Sequence, residues 1–359
     1  MTREYTSLGL MSGTSIDGVD ASIIKSDGQS SYSLILNKYF KFDKETYDKI
    51  HSIKDKINSS KDLKILSKEI NDLEKKITLF HAKVVKELNY NDIELIGFHG
   101  QTIFHNSEEK ISIQLGNGQL LSQLTNKDVV YNFRQNDLKN GGEGAPITPV
   151  FHNLLVKEKD IGLPVSILNI GGISNITSIN VDDKIFSQDV GPGSCLIDHW
   201  IRLNTDKTFD DGGKIAMSGK ISKIILDQSL DNYFNSNISK KRSYDTKDFD
   251  LSFVRGLSLV DGAATLTEFT AQIICNKKMN KNIYICGGGR KNKFLLNRIE
   301  KITNNKVKLI DELDIDGDFV ESQAFGYLAI RSYLKLPLTF PETTGVKKAC
   351  IGGEIIKIK

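Results

Sequence analysis

The sequence predicts an α/β chain built from two similar halves, each opening on a strand, a tight Gly/Ser turn and a second strand. Residues 8–24 run from an apolar strand through Gly13-Thr14-Ser15 into a strand that starts beside Asp17 and Asp20. Residues 166–179 repeat that order, with Gly171-Gly172 at the turn. Further glycine turns, Gly191-Pro192-Gly193 and Gly287-Gly288-Gly289, follow segments that read as strands. With 359 residues, the chain has room for two domains of ordinary size. Two strand-turn-strand units, one in each half, point to a duplication with a ligand held between the copies.

The elements follow in order. Residues 44–89 read as helical, with Leu63, Ile65, Leu66, Ile70, Leu73 and Ile77 at helix spacing and Lys61, Lys64 and Lys68 on the solvated face. Residues 94–98 form a strand ending in His99-Gly100-Gln101-Thr102, and 111–115 alternate as a strand does. A helix with Leu120, Leu121 and Leu124 leads to a last strand over 129–133. The glycine-rich loop 140–146 is the expected hinge, dividing the chain into domains 1–138 and 139–337. In the second half, an acid ends the short strand before Gly191, and a helix with Leu196, Ile197, Trp200 and Ile201 begins. A long apolar helix over 257–274, a strand over 282–286, and helices containing Leu295 and Ile299 and spanning 320–334 complete it. Pro337 and Pro341 punctuate a tail, 338–359, expected to return to the first domain.

Composition narrows the function classes. Apolar and charged fractions of 39% and 26% suit a globular protein, and a net charge of +3 leaves no broad footprint for nucleic acid. Cys195, Cys275, Cys286 and Cys350 form no Cys-x-x-Cys pair, as expected of reduced thiols in the cytoplasm. No stretch approaches the ~18 apolar residues of a membrane span, and no signal peptide is read.

Several stations carry chemistry. Small residues let backbone approach an anion, and successive turn N–H groups cradle phosphate oxygens. Thr14 and Ser15 add hydroxyl donors, and Asp17 and Asp20 are carboxylates suited to an accompanying cation. Asp189, at a strand's carboxyl end, is placed as a general base or as a turn-capping acid, with Asp198 competing for the base role. Gly287-Gly288-Gly289 leaves room for a flat base against backbone, yet it is neither a dinucleotide fingerprint nor a Walker loop. His99 and His105 lack metal-ligand spacing and read as polar lining. Arg134 can grip an anionic group bidentately. Glu321 is by default an acid favoured at a helix N-terminus.

The run Met11-Ser12-Gly13-Thr14-Ser15-Ile16-Asp17-Gly18-Val19-Asp20 is the most specific of these motifs. His99-Gly100-Gln101-Thr102, Phe133-Arg134, Gly141–Pro146, Asn169–Asn175, Asp189–Gly193, Cys286–Gly289 and Glu321–Ala329 follow in order. On these residues the chain resembles bacterial 1,6-anhydro-N-acetylmuramic acid kinases nearly end to end. The resemblance implies the fold of sugar kinases, actin and chaperone ATPases: two ribonuclease-H-like domains with an interdomain nucleotide and substrate cleft. It implies ATP contacts from Gly13, Thr14, Ser15, Ile16, Asp17, Gly18, Val19, Asp20, Gly171, Gly172, Gly287, Gly288, Gly289 and Asn292. It makes Asp189 the catalytic base, puts Arg134, Glu321, His99 and Gln101 near the sugar, and assigns Mg²⁺ to Asp17 or Asp20. The implied reaction opens the anhydro bridge with water and phosphorylates O6, giving N-acetylmuramic acid 6-phosphate and ADP in cell-wall recycling. Expected partners are the sugar and ATP, without nucleic acid or membrane and with room for a homodimer. A kinase of another sugar, an acetate-kinase-like enzyme and a nucleotide-switched filament or chaperone are the alternatives. Val190 and Ser194 stand where the family usually has Thr and Asn. Thr246-Lys247-Asp248 precedes Phe249 where Gly-Arg-Glu is expected.

Overall fold

The computed structural model describes residues 3–358. The chain forms two compact units. One runs to Ile161 and resumes at Phe319; the other is Gly162–Asp318.

The first unit holds β1 (Tyr5–Ser12), β2 (Gly18–Ser26), β3 (Tyr32–Lys41), β4 (Leu95–Asn106), β5 (Ile111–Leu115) and β6 (Asp128–Tyr131). Its sheet runs β6-β4-β1-β2-β3, with the tail strand Glu354–Ile356 beside β6 and β5 beside β4. β1 is parallel to β4, β4 is parallel to β6, and β2 is antiparallel to both its neighbours. The second unit holds β7 (Val165–Ile170), β8 (Ile173–Ile179), β9 (Ile185–Pro192), β10 (Asn282–Cys286) and β11 (Lys308–Leu309). Its order, β11-β10-β7-β8-β9, repeats the first with the same strand directions. Each unit thus carries the ribonuclease-H arrangement in which three antiparallel strands lead into two parallel additions.

Core residues explain the layers of the first unit. Leu8 and Leu10 of β1 are buried with Ile50, Ile53, Leu73 and Ile77 of the helices after β3. On the other face, a Cβ at Gly9 would lie 1.8 Å from the Ser322 carbonyl oxygen, and one at Gly97 would lie 2.1 Å from that of Phe325. Both glycines let the helix Val320–Tyr333 lie close against the sheet. The helical stretch after β3 is broken into Lys44–Lys56, Ser60–Ile65 and Ser67–Leu88. Ile65 is 77% exposed, not on the inner face that its spacing predicts, because it ends a separate short helix with no buried residue.

The units part at 161/162 and 318/319 rather than at the expected 138/139 and 337/338. The reason is packing on the first sheet. Phe151, on the helix Pro149–Glu158, packs edge-on against Tyr32 of β3 at 5.4 Å and tilted against Tyr327 at 5.7 Å. The expected hinge at 140–146 is instead a braced loop inside the first unit. Buried Asp137 accepts hydrogen bonds from Gly144 N (2.8 Å), Thr339 Oγ1 (2.5 Å) and Thr344 Oγ1 (2.7 Å).

In the second unit, the helix Leu259–Cys275 packs on β9 and on the helix Cys195–Asn204, and Gly262 faces the Trp200 ring. All four cysteines are free thiols. Among the described residues, no helix is long and apolar enough to cross a membrane.

Candidate active site

The carboxyl end of β1 carries the first station. Between β1 and β2 the chain turns over residues 13–17, with Ile16 N donating to Gly13 O at 3.2 Å. Ile16 is buried with φ at 61°, a left-handed conformation costly for a β-branched residue and typical of a functional turn. Gln101, beside Ser12 in the β1–β4 register, braces this turn. Its Oε1 accepts from Ser12 Oγ at 2.6 Å and its Nε2 donates to Gly13 O at 3.1 Å. Buried Gln101 thus commits its amide to bracing the loop. Asp17 is exposed and accepts from Ser15 Oγ at 2.5 Å. Tyr39 of β3 also hydrogen-bonds Asp17, and burial together with that carboxylate pushes its phenol up.

A second station sits past β4 and β6. His99 Nδ1 donates to Gly100 O at 2.8 Å, which leaves Nε2 to accept from Arg134 Nη2 at 3.1 Å. Burial, and then the Arg134 charge, hold His99 well below its ordinary range, so the imidazole is neutral. Arg134 Nη1 donates to Gly144 O at 2.8 Å, which ties the guanidinium to the braced loop. Phe325 stacks on His99 at 4.4 Å, and Glu321 lies in the first turn of the same helix. A cleft of about 520 Å³ opens here, lined by His99, Lys110, Gln114, Tyr131, Gln135 and Lys139.

The second unit places Asp189 on β9, 5% exposed. Its Oδ2 accepts from Tyr244 N at 2.9 Å, and its own N donates to Arg242 O at 3.0 Å. The next turn is knitted to the Gly171-Gly172 turn: Gly193 N donates to Gly172 O (2.9 Å) and Ser194 N to Gly171 O (2.8 Å). A Cβ at Gly193 would meet Gly171 O at 2.1 Å, so the two turns touch only because Gly193 has no side chain. Val190 points into the core with Ile176 and Ala271, so this departure from the family pattern lies away from the Asp189 face. Asp248 is engaged by Lys241 Nζ at 2.6 Å. Asp198, the competing acid, lies in the first turn of the helix Cys195–Asn204 and is half-buried.

The glycine triplet follows β10. Gly287 has φ at 81° and donates to Gly317 O at 3.0 Å. Buried Arg290 clamps this turn: Nε and Nη2 reach Asp311 at 2.7 and 2.9 Å, and Nη1 reaches Asp318 at 2.5 Å and Gly287 O at 3.2 Å. Asn292 caps the helix Lys293–Thr303, its Oδ1 accepting from Leu295 N at 3.0 Å. Arg290, Tyr39 and Asp137 escaped the sequence reading. Their partners lie far along the chain, and the sole local signal was the Arg directly after three glycines.

Two observations bear on bound groups. A Cβ at Gly288 would meet nothing within 4 Å, and one at Gly13 would meet only Ser15 Oγ at 3.8 Å. The protein's own packing does not require these glycines, and the open space beside them leaves room for a ligand to approach the backbone closely. No group of three or more His, Cys, Asp or Glu side chains set for a metal occurs among the described residues. The one or two carboxylates of Asp17 and Asp20 are the donor set Mg²⁺ takes beside phosphate oxygens and water.

The model of the family "Anhydro-N-acetylmuramic acid kinase" matches residues 5–357. An anhydro-N-acetylmuramic acid kinase of Pelagibacter ubique is 55% identical, covering 99% of this chain and 100% of that protein. Kinases of the same name from Agrobacterium fabrum and Rhizobium etli are each 36% identical, covering 99% and 97% of this chain and 100% and 97% of their own lengths. Among solved structures, the (R)-2-hydroxyglutaryl-CoA dehydratase component A of Acidaminococcus fermentans matches at 10% identity and a TM-score of 0.46, over 92% of this chain and 99% of that one. By the family model and by relatives that match along their whole length, the chain belongs to the anhydro-N-acetylmuramic acid kinase family.

Proposed function

We propose that the protein uses water to open the 1,6-anhydro bridge of 1,6-anhydro-N-acetylmuramic acid and transfers the γ-phosphoryl group of ATP to O6. The products are N-acetylmuramic acid 6-phosphate and ADP, and the role is recycling of cell-wall fragments. Buried Asp189, with one oxygen fixed by Tyr244 N, is the observation that carries the mechanism. Its carboxylate takes a proton from the water that attacks C1. As the C1–O6 bond breaks, O6 captures the phosphoryl group, so no second carboxyl is needed to protonate the leaving oxygen, as an ordinary glycosidase requires.

Arg134, oriented by neutral His99, grips the sugar's carboxylate, and Glu321 approaches the ring. The turn at 13–17 and the glycine turns at 171–172 and 287–289 hold the nucleotide. Gln101 and Asn292 act here by positioning, through the contacts already described. Mg²⁺, when bound through Asp17 or Asp20 and water, neutralises phosphate charge.

Incubation with the sugar, ATP and Mg²⁺ in ¹⁸O-water, followed by mass analysis, tests this. One ¹⁸O at C1 of a sugar phosphate is expected. Unlabelled sugar phosphate would mean phosphorylation without hydrolysis, and ADP without sugar phosphate would point to another acceptor.

A further inference from the structure

A row of polar residues crosses the carboxyl end of the second sheet. Cys286 on β10 pairs with Asn169 on β7, Asn169 with Asn175 on β8, and Asn175 with Asp189 on β9. Residues paired across strands share a face, so Asn175 and Asp189 are side by side. A bulge between Ser174 and Asn175 sets that pairing: Ser174 faces Gly191, Val190 is skipped, and Asn175 faces Asp189. Three members of the row have protein partners. Asn169 Oδ1 lies 3.7 Å from the Cys286 thiol, and Asp189 Oδ2 accepts from Tyr244 N. Asn175 Oδ1 is buried and accepts no hydrogen bond. An unmet buried acceptor typically costs ~1–3 kcal/mol, so its place beside a buried carboxylate calls for a ligand that donates to it.

We propose that Asn175 positions the attacking water by accepting one of its O–H bonds while Asp189 faces the other. This assignment rests on the hydrolytic reading of Asp189. Water has two donors at a fixed angle, and two adjacent acceptors on one sheet face orient its remaining lone pairs outward. In the reaction the water oxygen forms the new bond to C1 and the C1–O6 bond breaks. Asp189 receives one proton, the γ-phosphoryl group passes to O6, and ADP departs. The second O–H stays on the new C1 hydroxyl, hydrogen-bonded to Asn175 throughout. Asn175 is thus a nucleophile-positioning residue, and neither the ATP turns nor the Arg134 grip depends on it.

The experiment compares full-length wild type, Asn175→Ala and Asn175→Asp in ¹⁸O-water, measuring kcat, both KM values and the pH profile of kcat/KM. Asn175→Ala is expected to lose about 10- to 100-fold in kcat, with both KM values within about twofold, as for a group that orients without binding. Asn175→Asp keeps an acceptor but sets a like charge beside Asp189, so the acid limb of its profile moves up by about one pH unit. A purely structural asparagine would move KM values and thermal stability together, rather than kcat alone. Wild-type kcat in Asn175→Ala, or an unshifted limb in an active Asn175→Asp, overturns the assignment while leaving the hydrolytic reading intact. A wild type that makes no ¹⁸O-labelled sugar phosphate overturns the hydrolytic reading, and the assignment with it.

Discussion

In the proposed mechanism Asp189 is the base, buried with one oxygen fixed by Tyr244 N. Asp189→Asn keeps the shape and an acceptor for Tyr244 N but removes the base. Turnover should fall by ~10²–10⁴-fold, the usual worth of general-base assistance. ATP affinity, measured by calorimetry on the same variant, should not change. Loss of ATP binding would reassign Asp189 as a structural acid. Arg134 is prepared differently. Neutral His99 accepts from one terminal nitrogen and the Gly144 carbonyl from the other, so both tips of the fork are held in place.

At the scale of elements, each station is a turn at a strand's carboxyl end held by a distant segment. Gln101 braces the turn at 13–17, Asp137 holds the 140–146 loop through Thr339 and Thr344, and Arg290 ties 287–289 to 311–318. Arg290→Met would leave Asp311 and Asp316 without their cation, while Asp318 keeps Lys291. The carboxylates are partly exposed, so the loss should be nearer the ~1 kcal/mol of a screened pair than the ~3–5 kcal/mol of a fully buried one, which urea unfolding would read. KM for ATP should rise while KM for the sugar holds. Arg290→Lys should rescue little, because an ammonium cannot repeat the two-pronged contact with Asp311. An unchanged KM for ATP would remove the glycine triplet from the nucleotide site.

Across the whole molecule, buried neutral histidines set the acid limit of stability. Burial pushes His81 and His152 down to about 4, and holds His99 well below its ordinary range. The unfolded chain therefore binds protons that the folded chain refuses. Stability is full above about pH 6.5 and is lost as pH falls toward the folded values. His81 and His152 each give up roughly 3 kcal/mol across that window. The melting temperature should drop steeply between pH 6.5 and 4. His81→Leu, which fits between Phe80 and Phe98 and removes a buried Nε2 without a partner, should flatten part of that drop. An equal slope in wild type and variant would show that carboxylates dominate instead.

The sequence by itself determined the α/β class and the duplication. Alternating strands, glycine turns and the Asp189 strand end are local patterns, visible within a few residues. Tertiary structure alone decided where the units part, because Phe151 and the helix Val320–Tyr333 choose the first sheet through contacts with β1, β3 and β4. It likewise turned the 140–146 loop from an expected hinge into a fixed wall, through Thr339 and Thr344 some two hundred residues onward. It also set Asn175 opposite Asp189, since a bulge shifts register by one residue and no sequence period records that. Hydrogen-bond partners distant along the chain leave no periodic trace, which is why Gln101, Tyr39 and Arg290 took their roles only once the sheets had formed.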